Sequence, residues 1–139
     1  MGANAPEPPE SEPDLRGLRV LVVEDSADVA TAVKNLLRSL GADVLGPVAT
    51  TDAAMRLTAE TNPDVALVDV NLRGGELAYD LIDRLHALRV HIVVMSGNDE
   101  VPEAMGKAAA VLEKPVSEAK LFASLRAVTA WPRKPGSIS

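Results

Sequence analysis

Short apolar runs alternate with helix-like patterns between residues 17 and 131. Five runs rich in Val, Leu and Ile are bounded by polar or turn-forming residues, as buried strands are: RVLVVE, ADVLG, DVALVD, HIVVMS and AAVLE. Between these runs, apolar residues recur at intervals of three and four, which is the spacing of an amphipathic helix. The pattern predicts five strands and five helices in alternation.

Several of the predicted helices have recognisable ends. The first stops at Gly41, and the second, over DAAMRLTAET, has Thr51 as its N-cap. Leucines and an isoleucine within 77–85 indicate the third helix, and the last begins behind a Ser117 cap. The fourth helix, near 99–107, is short and weakly patterned.

Alternation of strands and helices at this spacing predicts an α/β domain with a doubly wound, parallel, five-stranded sheet. In such sheets, ligands bind beyond the carboxyl ends of the strands, near the point where strand order reverses. The residues at these ends are therefore the candidates for a functional site: Glu24 and Asp25, Gly46, Asp69, Ser96, and Lys114 with Pro115.

Composition narrows the functional classes. A net charge of −6 without a basic run argues against nucleic-acid binding, and no apolar run reaches membrane-spanning length. The absence of cysteine excludes disulfides and thiolate sites and favours a cytoplasmic location. Residues 1–16 are predicted to be a disordered Pro/Glu-rich tail, 17–131 one folded domain, and 132–139 a flexible tail.

Three carboxylates, a hydroxyl and an ammonium at one crevice suggest phosphoryl transfer. Carboxylates brought together repel one another unless a cation neutralises them, and oxygen ligands alone favour Mg²⁺. Asp69 would be the nucleophile, with Mg²⁺, Ser96 and Lys114 holding the charged oxygens. Two structural interpretations stay open: Asp69 could cap the following turn, and Glu24 with Asp25 could complement a helix dipole.

Four segments, taken in order, resemble the receiver domains of two-component response regulators: RVLVVEDS, PDVALVDVNLRGG, VVMSG and VLEKPV. The resemblance covers nearly all of 17–131 and implies the (βα)5, flavodoxin-like fold. It implies that Asp69 is the phosphoacceptor and that Asp25 binds Mg²⁺ directly, with Glu24 acting mainly through water. The backbone carbonyl of Asn71 would be a further ligand.

The resemblance also assigns the remaining positions of the site. Ser96 would hydrogen-bond the phosphoryl group, Lys114 would pair with it, and the small Gly97 would leave room for the donor. The peptide bond between Lys114 and Pro115 would be cis, as X-Pro bonds permit. Asn71 and Asn98 would tune the lifetime of the phosphorylated state.

Some positions depart from the commonest receiver pattern. Val111 stands where the family usually has Tyr or Phe, and the stretch between Ser96 and Lys114 is shorter than usual. The segment DVNLRGGELAYDL resembles stand-alone receivers that are paired with HWE-type histidine kinases. No residues for an output domain follow Trp131, so action by docking is expected.

The sequence thus predicts a bacterial, cytoplasmic phosphoacceptor switch, not an enzyme. Its expected partners are a histidine kinase or phosphotransfer protein and an unknown downstream protein, as a monomer or phosphorylation-dependent dimer. Two alternatives remain, a phosphate sink or phosphorelay carrier, which Val111 mildly favours, and a constitutive docking module. A flavodoxin-like cofactor binder is disfavoured because no glycine-rich phosphate loop follows the first strand.

Overall fold

A computed structural model of the 139-residue chain describes residues 14–70, 78–97 and 108–130. Nine elements lie in these ranges. The strands are β1 (Arg19–Val23), β2 (Asp43–Val48), β3 (Val65–Asp69), β4 (His91–Ser96) and β5 (Ala110–Glu113). The helices are α1 (Ala27–Ser39), α2 (Thr51–Thr61), α3 (Tyr79–Ala87) and α4 (Glu118–Thr129).

The five strands form one parallel sheet in the order β2-β1-β3-β4-β5. Strand order reverses between β1 and β3, so the carboxyl ends of these two strands flank the switch point at which α/β sheets bind ligands. The predicted α/β, doubly wound, five-stranded parallel fold is confirmed. The predicted helix near 99–107 lies outside the described residues, and α4 corresponds to the last predicted helix.

Two apolar layers sandwich the sheet. Leucines and valines of α1 and α4 pack on one face, and α2 and α3 pack on the other. All five residues of β3 are buried, which is why no polar residue alternates along it until Asp69. Because β3 is the middle strand, Asp69 lies at the centre of the carboxyl edge of the sheet.

The cap of α2 corrects one prediction. The N-cap residue is Thr50, whose hydroxyl accepts a hydrogen bond from the Ala53 amide at 3.1 Å, and Thr51 is the first helical residue. Two adjacent threonines offer the same capping chemistry, and the extended backbone at Thr50 decides between them. The predicted Ser117 cap of α4 is confirmed, since its hydroxyl accepts from the Lys120 amide.

Strand β2 runs two residues further than predicted. It includes Pro47, and Gly46 adopts a positive φ of 91° where an added Cβ would lie 2.9 Å from the Val48 amide nitrogen. Because β2 is an edge strand that pairs only with β1, no strand lies along its other side. The missing N–H of Pro47 therefore costs no sheet hydrogen bond on that side. The peptide bonds before Pro47 and Pro115 are both cis, the second as predicted.

Packing of the domain begins two residues before the predicted boundary at 17. Leu15 is fully buried in the layer formed by α1 and α4, and its amide donates to the Leu40 carbonyl at 2.6 Å. A single leucine in a polar segment is not a recognisable core residue until the tertiary structure gives it a pocket. Residues 1–13 of the predicted N-terminal tail and all of the predicted C-terminal tail, 132–139, lie outside the described residues.

Within the three described ranges, the structure has no helix both long enough and apolar enough to span a membrane.

Candidate functional site

The candidate site is an acidic crevice at the carboxyl ends of β1, β3 and β5. Glu24 and Asp25 follow β1, Asp69 ends β3, and Lys114 follows β5. Because the strands are parallel, all four residues reach the same edge of the sheet. Glu24 and Asp69 are only 3% and 5% exposed, so their charges are largely removed from bulk water.

Lys114 connects the two buried carboxylates. Its Nζ lies 2.9 Å from Oε1 of Glu24 and 3.2 Å from Oδ1 of Asp69. Side-chain burial is complete for Glu24 and nearly so for Asp69, and Lys114 is 21% exposed. In such a poorly solvated position, an ammonium balances carboxylate charge far better than it would at the surface.

The Glu24 carboxylate is held from two sides. Oε1 faces Lys114, and Oε2 accepts a hydrogen bond from the Ser26 amide at 3.0 Å. Burial raises the pKa of Glu24 above its ordinary 4.5, and the charge of Asp69 adds to this. The hydrogen bonds from Lys114 and the Ser26 amide act in the opposite direction but do not outweigh burial. Glu24 is therefore a carboxylate whose charge is costly in the folded protein.

The same arrangement favours the charged form of Lys114. Burial alone would lower its pKa, but the hydrogen bond to Glu24 and the charges of Asp69 and Glu24 outweigh burial. The pKa of Lys114 is accordingly raised above its ordinary 10.5. Lys114 is thus a fixed cation at neutral pH, and it cannot serve as a proton acceptor there.

Three of these side chains fit a divalent cation. Ligand oxygens of Glu24, Asp25 and Asp69 all lie within 4.8 Å of one another. Carboxylate oxygens are the donors that Mg²⁺ prefers, and a few carboxylates together with waters suit its octahedral geometry. The raised pKa of Glu24 shows that Lys114 alone does not compensate for burial of the negative charge. The residues present therefore fit Mg²⁺.

Ser96 and Lys114 are tied together by the backbone. The Lys114 amide donates to the Ser96 carbonyl at 2.9 Å, which places both side chains at the ends of adjacent strands. Ser96 is 3% exposed, and its hydroxyl is 3.4 Å from the Gly97 carbonyl, a long contact that a better acceptor could replace. Among the residues that the structure describes, none has an atom within 4 Å of a Cβ added at Gly97. These residues therefore leave space beside the crevice.

The structure brings together Glu24, Asp25, Asp69 and Lys114, and it places Ser96 at the end of the neighbouring strand β4. Asn71 and Asn98 lie outside the described residues, as does most of the segment that suggested an HWE-type kinase. Val111 is half-buried and packs against the layer formed by α2 and α3.

The family profile of the response regulator receiver domain matches residues 20–126. The chain belongs to the response regulator receiver domain family. The match begins within β1 and ends within α4, and it includes all of the crevice residues.

Two curated proteins are similar in sequence to this chain. One is protein-glutamate methylesterase/protein-glutamine glutaminase 4 of Geobacter metallireducens, 31% identical over 88% of this receiver chain. The other is Protein PilG of Pseudomonas aeruginosa, 27% identical over 80% of this chain. This chain spans 42% of the length of the first protein and 87% of the second.

Solved receiver structures share the fold. The signal receiver domain of a modulated diguanylate cyclase from Desulfovibrio desulfuricans is 30% identical, with a TM-score of 0.73 over 81% of this chain and 93% of that one. A CheY-like receiver domain from Methylobacillus flagellatus is 28% identical, with a TM-score of 0.71 over 80% of this chain and 98% of that one.

Sequence reasoning missed two features of the crevice. The direct contact of Glu24 Oε1 with Lys114 was not predicted, and the role of Glu24 toward Mg²⁺ through water stays a prediction. The Ser26 amide, which holds Oε2, was not considered. Ser26 is also the N-cap of α1, and its side chain accepts a hydrogen bond from the Val29 amide three residues later. A serine directly before the predicted first helix was the sequence signal that could have identified this residue.

Proposed function

We propose that this receiver domain accepts a phosphoryl group on Asp69 from a phosphohistidine and thereby changes its affinity for a protein partner. The observation that supports this most strongly is the position of Lys114, within 3.2 Å of Asp69 and 2.9 Å of Glu24. A cation fixed beside a buried carboxylate stabilises the added charge of a phosphoryl group more effectively than a surface lysine.

In the proposed transfer, a carboxylate oxygen of Asp69 forms a bond to phosphorus as the P–N bond of the donor breaks. The electron pair of that bond remains with the donor imidazole, which then takes up a proton. Lys114 holds one phosphoryl oxygen, and the Ser96 hydroxyl turns from the Gly97 carbonyl to donate to another. Asp69 is the group modified, so the protein changes itself and does not turn over an external substrate.

Glu24, Asp25 and Asp69, with the Asn71 carbonyl, would hold Mg²⁺. Bound there, Mg²⁺ would offset the negative charge of the carboxylates and the phosphoryl oxygens. Asp25, half-buried at the rim of the crevice, would ligate directly, and Glu24 would combine an outer role with its contact to Lys114. The donor would be a histidine kinase, of the HWE type if the third-helix resemblance holds, or a phosphotransfer protein.

The test is the intact mass of the protein after incubation with acetyl phosphate and Mg²⁺. One phosphoryl increment is expected for the wild type, and none for Asp69→Asn or for wild type in excess EDTA. Asp28→Asn, at an exposed position in the first turn of α1, is the matched control and should be modified like the wild type. A wild type that also resists a purified phosphohistidine donor would contradict the proposal.

A second candidate function is a phosphate sink or phosphorelay carrier. Val111, half-buried beside the α2 and α3 layer, gives no aromatic side chain that could change between inward and outward positions. A carrier needs only to receive and release the group, without a change of surface. If phosphorylated protein returns its phosphoryl group to a phosphotransfer histidine and captures no other partner, the carrier is the better account.

A further inference from the structure

An apolar groove lies at the end of the domain opposite the acidic crevice. It has a volume of about 310 Å³ and lies between the end of α2 and the turn from α3 to β4. Met55, Pro63 and Leu88 supply apolar walls, and Arg89 supplies a cation at the rim. Leu88 is 56% exposed and is the one large hydrophobic side chain exposed in the described ranges.

A second, more polar groove of about 610 Å³ adjoins the first. The two share Arg89 and Val90, and the second is also lined by His86 and His91, the only histidines of the chain. Together the two grooves are called the base surface here. The base surface places an exposed leucine next to an arginine and two imidazoles, so it suits a ligand with both apolar and acidic groups.

The turn that forms the base surface is fixed by backbone hydrogen bonds. The Arg89 amide donates to the His86 carbonyl at 3.0 Å, and the Val90 amide donates to Leu85 at 3.1 Å. Arg89 adopts a left-handed φ of 65°, an uncommon conformation for an arginine. These bonds hold Leu88 and Arg89 outward, so the surface is preformed.

Residues 1–13 of the chain have the matching chemistry. The segment MGANAPEPPESEP contains three glutamates, four prolines and no basic residue. In a polyproline II helix, with three residues per turn, Glu7 and Glu10 share one face and Pro6 and Pro9 share the next. Such a segment offers carboxylates to Arg89 and proline rings to Leu88 at the same time.

The start of the domain lies close enough to the base surface for this contact. The Arg19 amide donates to Oδ2 of Asp64 at 2.9 Å, and Asp64 directly follows Pro63 of the groove. Asp14, the first described residue, lies on the α1 side of the sheet, next to the buried Leu15. To reach the groove, residues 1–13 must cross to the helix layer on the other side of the sheet. For helices about 10 Å in diameter, that distance is about 20 Å. Thirteen extended residues reach about 43 Å, which is sufficient.

We propose that residues 1–13 bind the base surface of their own domain, with glutamates paired to Arg89 and prolines covering Leu88. This contact goes beyond the proposed phosphoryl transfer, because the base surface and the acidic crevice lie at opposite ends of the strands. The bound segment shields the exposed leucine and withholds the base surface from other proteins. Release of the segment would make that surface available.

The test uses the full chain with one nitroxide spin label. Because the chain has no cysteine, Ser11→Cys gives a unique label position, and Ser137→Cys gives the matched control. The proposal expects the label at 11 to cause loss of the amide signals of Leu88, Arg89 and Val90, and the label at 137 to leave them intact. Equal loss with both labels, or none, would overturn it.

Further samples test whether the contact depends on the charge of Arg89 and whether the segment comes from the same copy of the chain. Arg89→Asn removes the cation while keeping a residue that tolerates the left-handed backbone, and it should restore the lost signals. Arg126→Asn, on α4 at the opposite face, should not. A mixture of isotope-labelled protein with separately spin-labelled protein should show no loss; loss there means that a second copy supplies the segment, and the proposal fails.

Discussion

The ammonium of Lys114 lies 2.9 Å from Oε1 of Glu24, a carboxylate whose side chain is wholly buried. Neither residue is an ordinary surface charge, since the carboxylate has left water and the lysine is its nearest cation. In the absence of Mg²⁺, the acidic crevice therefore holds a carboxylate charge that burial disfavours. Removal of Lys114 should lower the free energy of unfolding, and removal of the Glu24 charge should raise it.

Replacement of Lys114 should destabilise the protein. Lys114→Met leaves Glu24 and Asp69 without their shared cation, and removal of one partner of a buried pair costs several kcal/mol. Allowing for the partial exposure of Lys114, we expect the free energy of unfolding to fall by about 2 kcal/mol, measured by urea denaturation in EDTA. Lys120→Met, at an exposed position in α4, is the control; an equal loss there would contradict this account.

Neutralisation of Glu24 should stabilise the protein. Glu24→Gln keeps the shape of the side chain and removes a charge that burial disfavours, so we expect the free energy of unfolding in EDTA to rise by about 1 kcal/mol at pH 7. The folded protein has the higher pKa for Glu24, so wild-type stability increases as pH falls through that pKa. Below 4.5, the ordinary value, the difference between variant and wild type should vanish.

The pH series from 4 to 8 distinguishes this cause from a packing effect. An improvement in packing would persist at low pH, whereas relief of a buried charge would not. Glu60→Gln, on the exposed side of α2, should give no such trend and serves as the control.

Mg²⁺ should stabilise the folded protein and should do so through Asp25. Binding to the folded state alone adds about 2.7 kcal/mol when the free cation reaches a hundredfold excess over its Kd. We expect a saturable rise in Tm for the wild type that Asp25→Asn abolishes, with ionic strength held constant. A similar rise in the variant would mean that the acidic crevice is not the binding site.

Adjacent threonines at the start of α2 should respond oppositely to mutation. Thr50→Ala removes the cap to the Ala53 amide and should lower the free energy of unfolding by about 1 kcal/mol. The Thr51 hydroxyl is buried and has no hydrogen-bond partner among the residues that the structure describes. Thr51→Val keeps the branched shape and should raise stability by about 0.5 kcal/mol. Urea denaturation of both variants provides the comparison, and destabilisation by Thr51→Val would point to a bound water.

The order of elements could be predicted from the sequence because apolar runs and helical spacing are local signals. The run before Asp69 lacks polar alternation, and that alone indicated a strand buried on both faces. Leu15 could not be predicted in the core, because its pocket is formed by α1, which is distant from the polar segment around it. The end of β2 was also predicted too early, because proline ends most strands. Pro47 is tolerated within β2 because β2 is an edge strand.

The members of the acidic crevice were predicted, but their contacts were not. That Glu24, Asp69 and Lys114 occupy one end of the sheet follows from parallel strands and needs no coordinates. Which carboxylate oxygen faces the lysine depends on side-chain rotamers and on the hydrogen bond that the Ser26 amide donates to Oε2. The sequence indicates Ser26 as a helix cap but does not indicate that bond.

The edge strand β2 also affects how the domain behaves in a crowded solution. An exposed strand edge is a template on which another chain can add itself by backbone pairing. At Pro47 the outward edge has no donor, and at Gly46 the left-handed backbone bends the chain away from regular pleating. Such an edge resists growth of the sheet into aggregates, so the residues that spoil the regularity of β2 also help to keep copies of the domain separate.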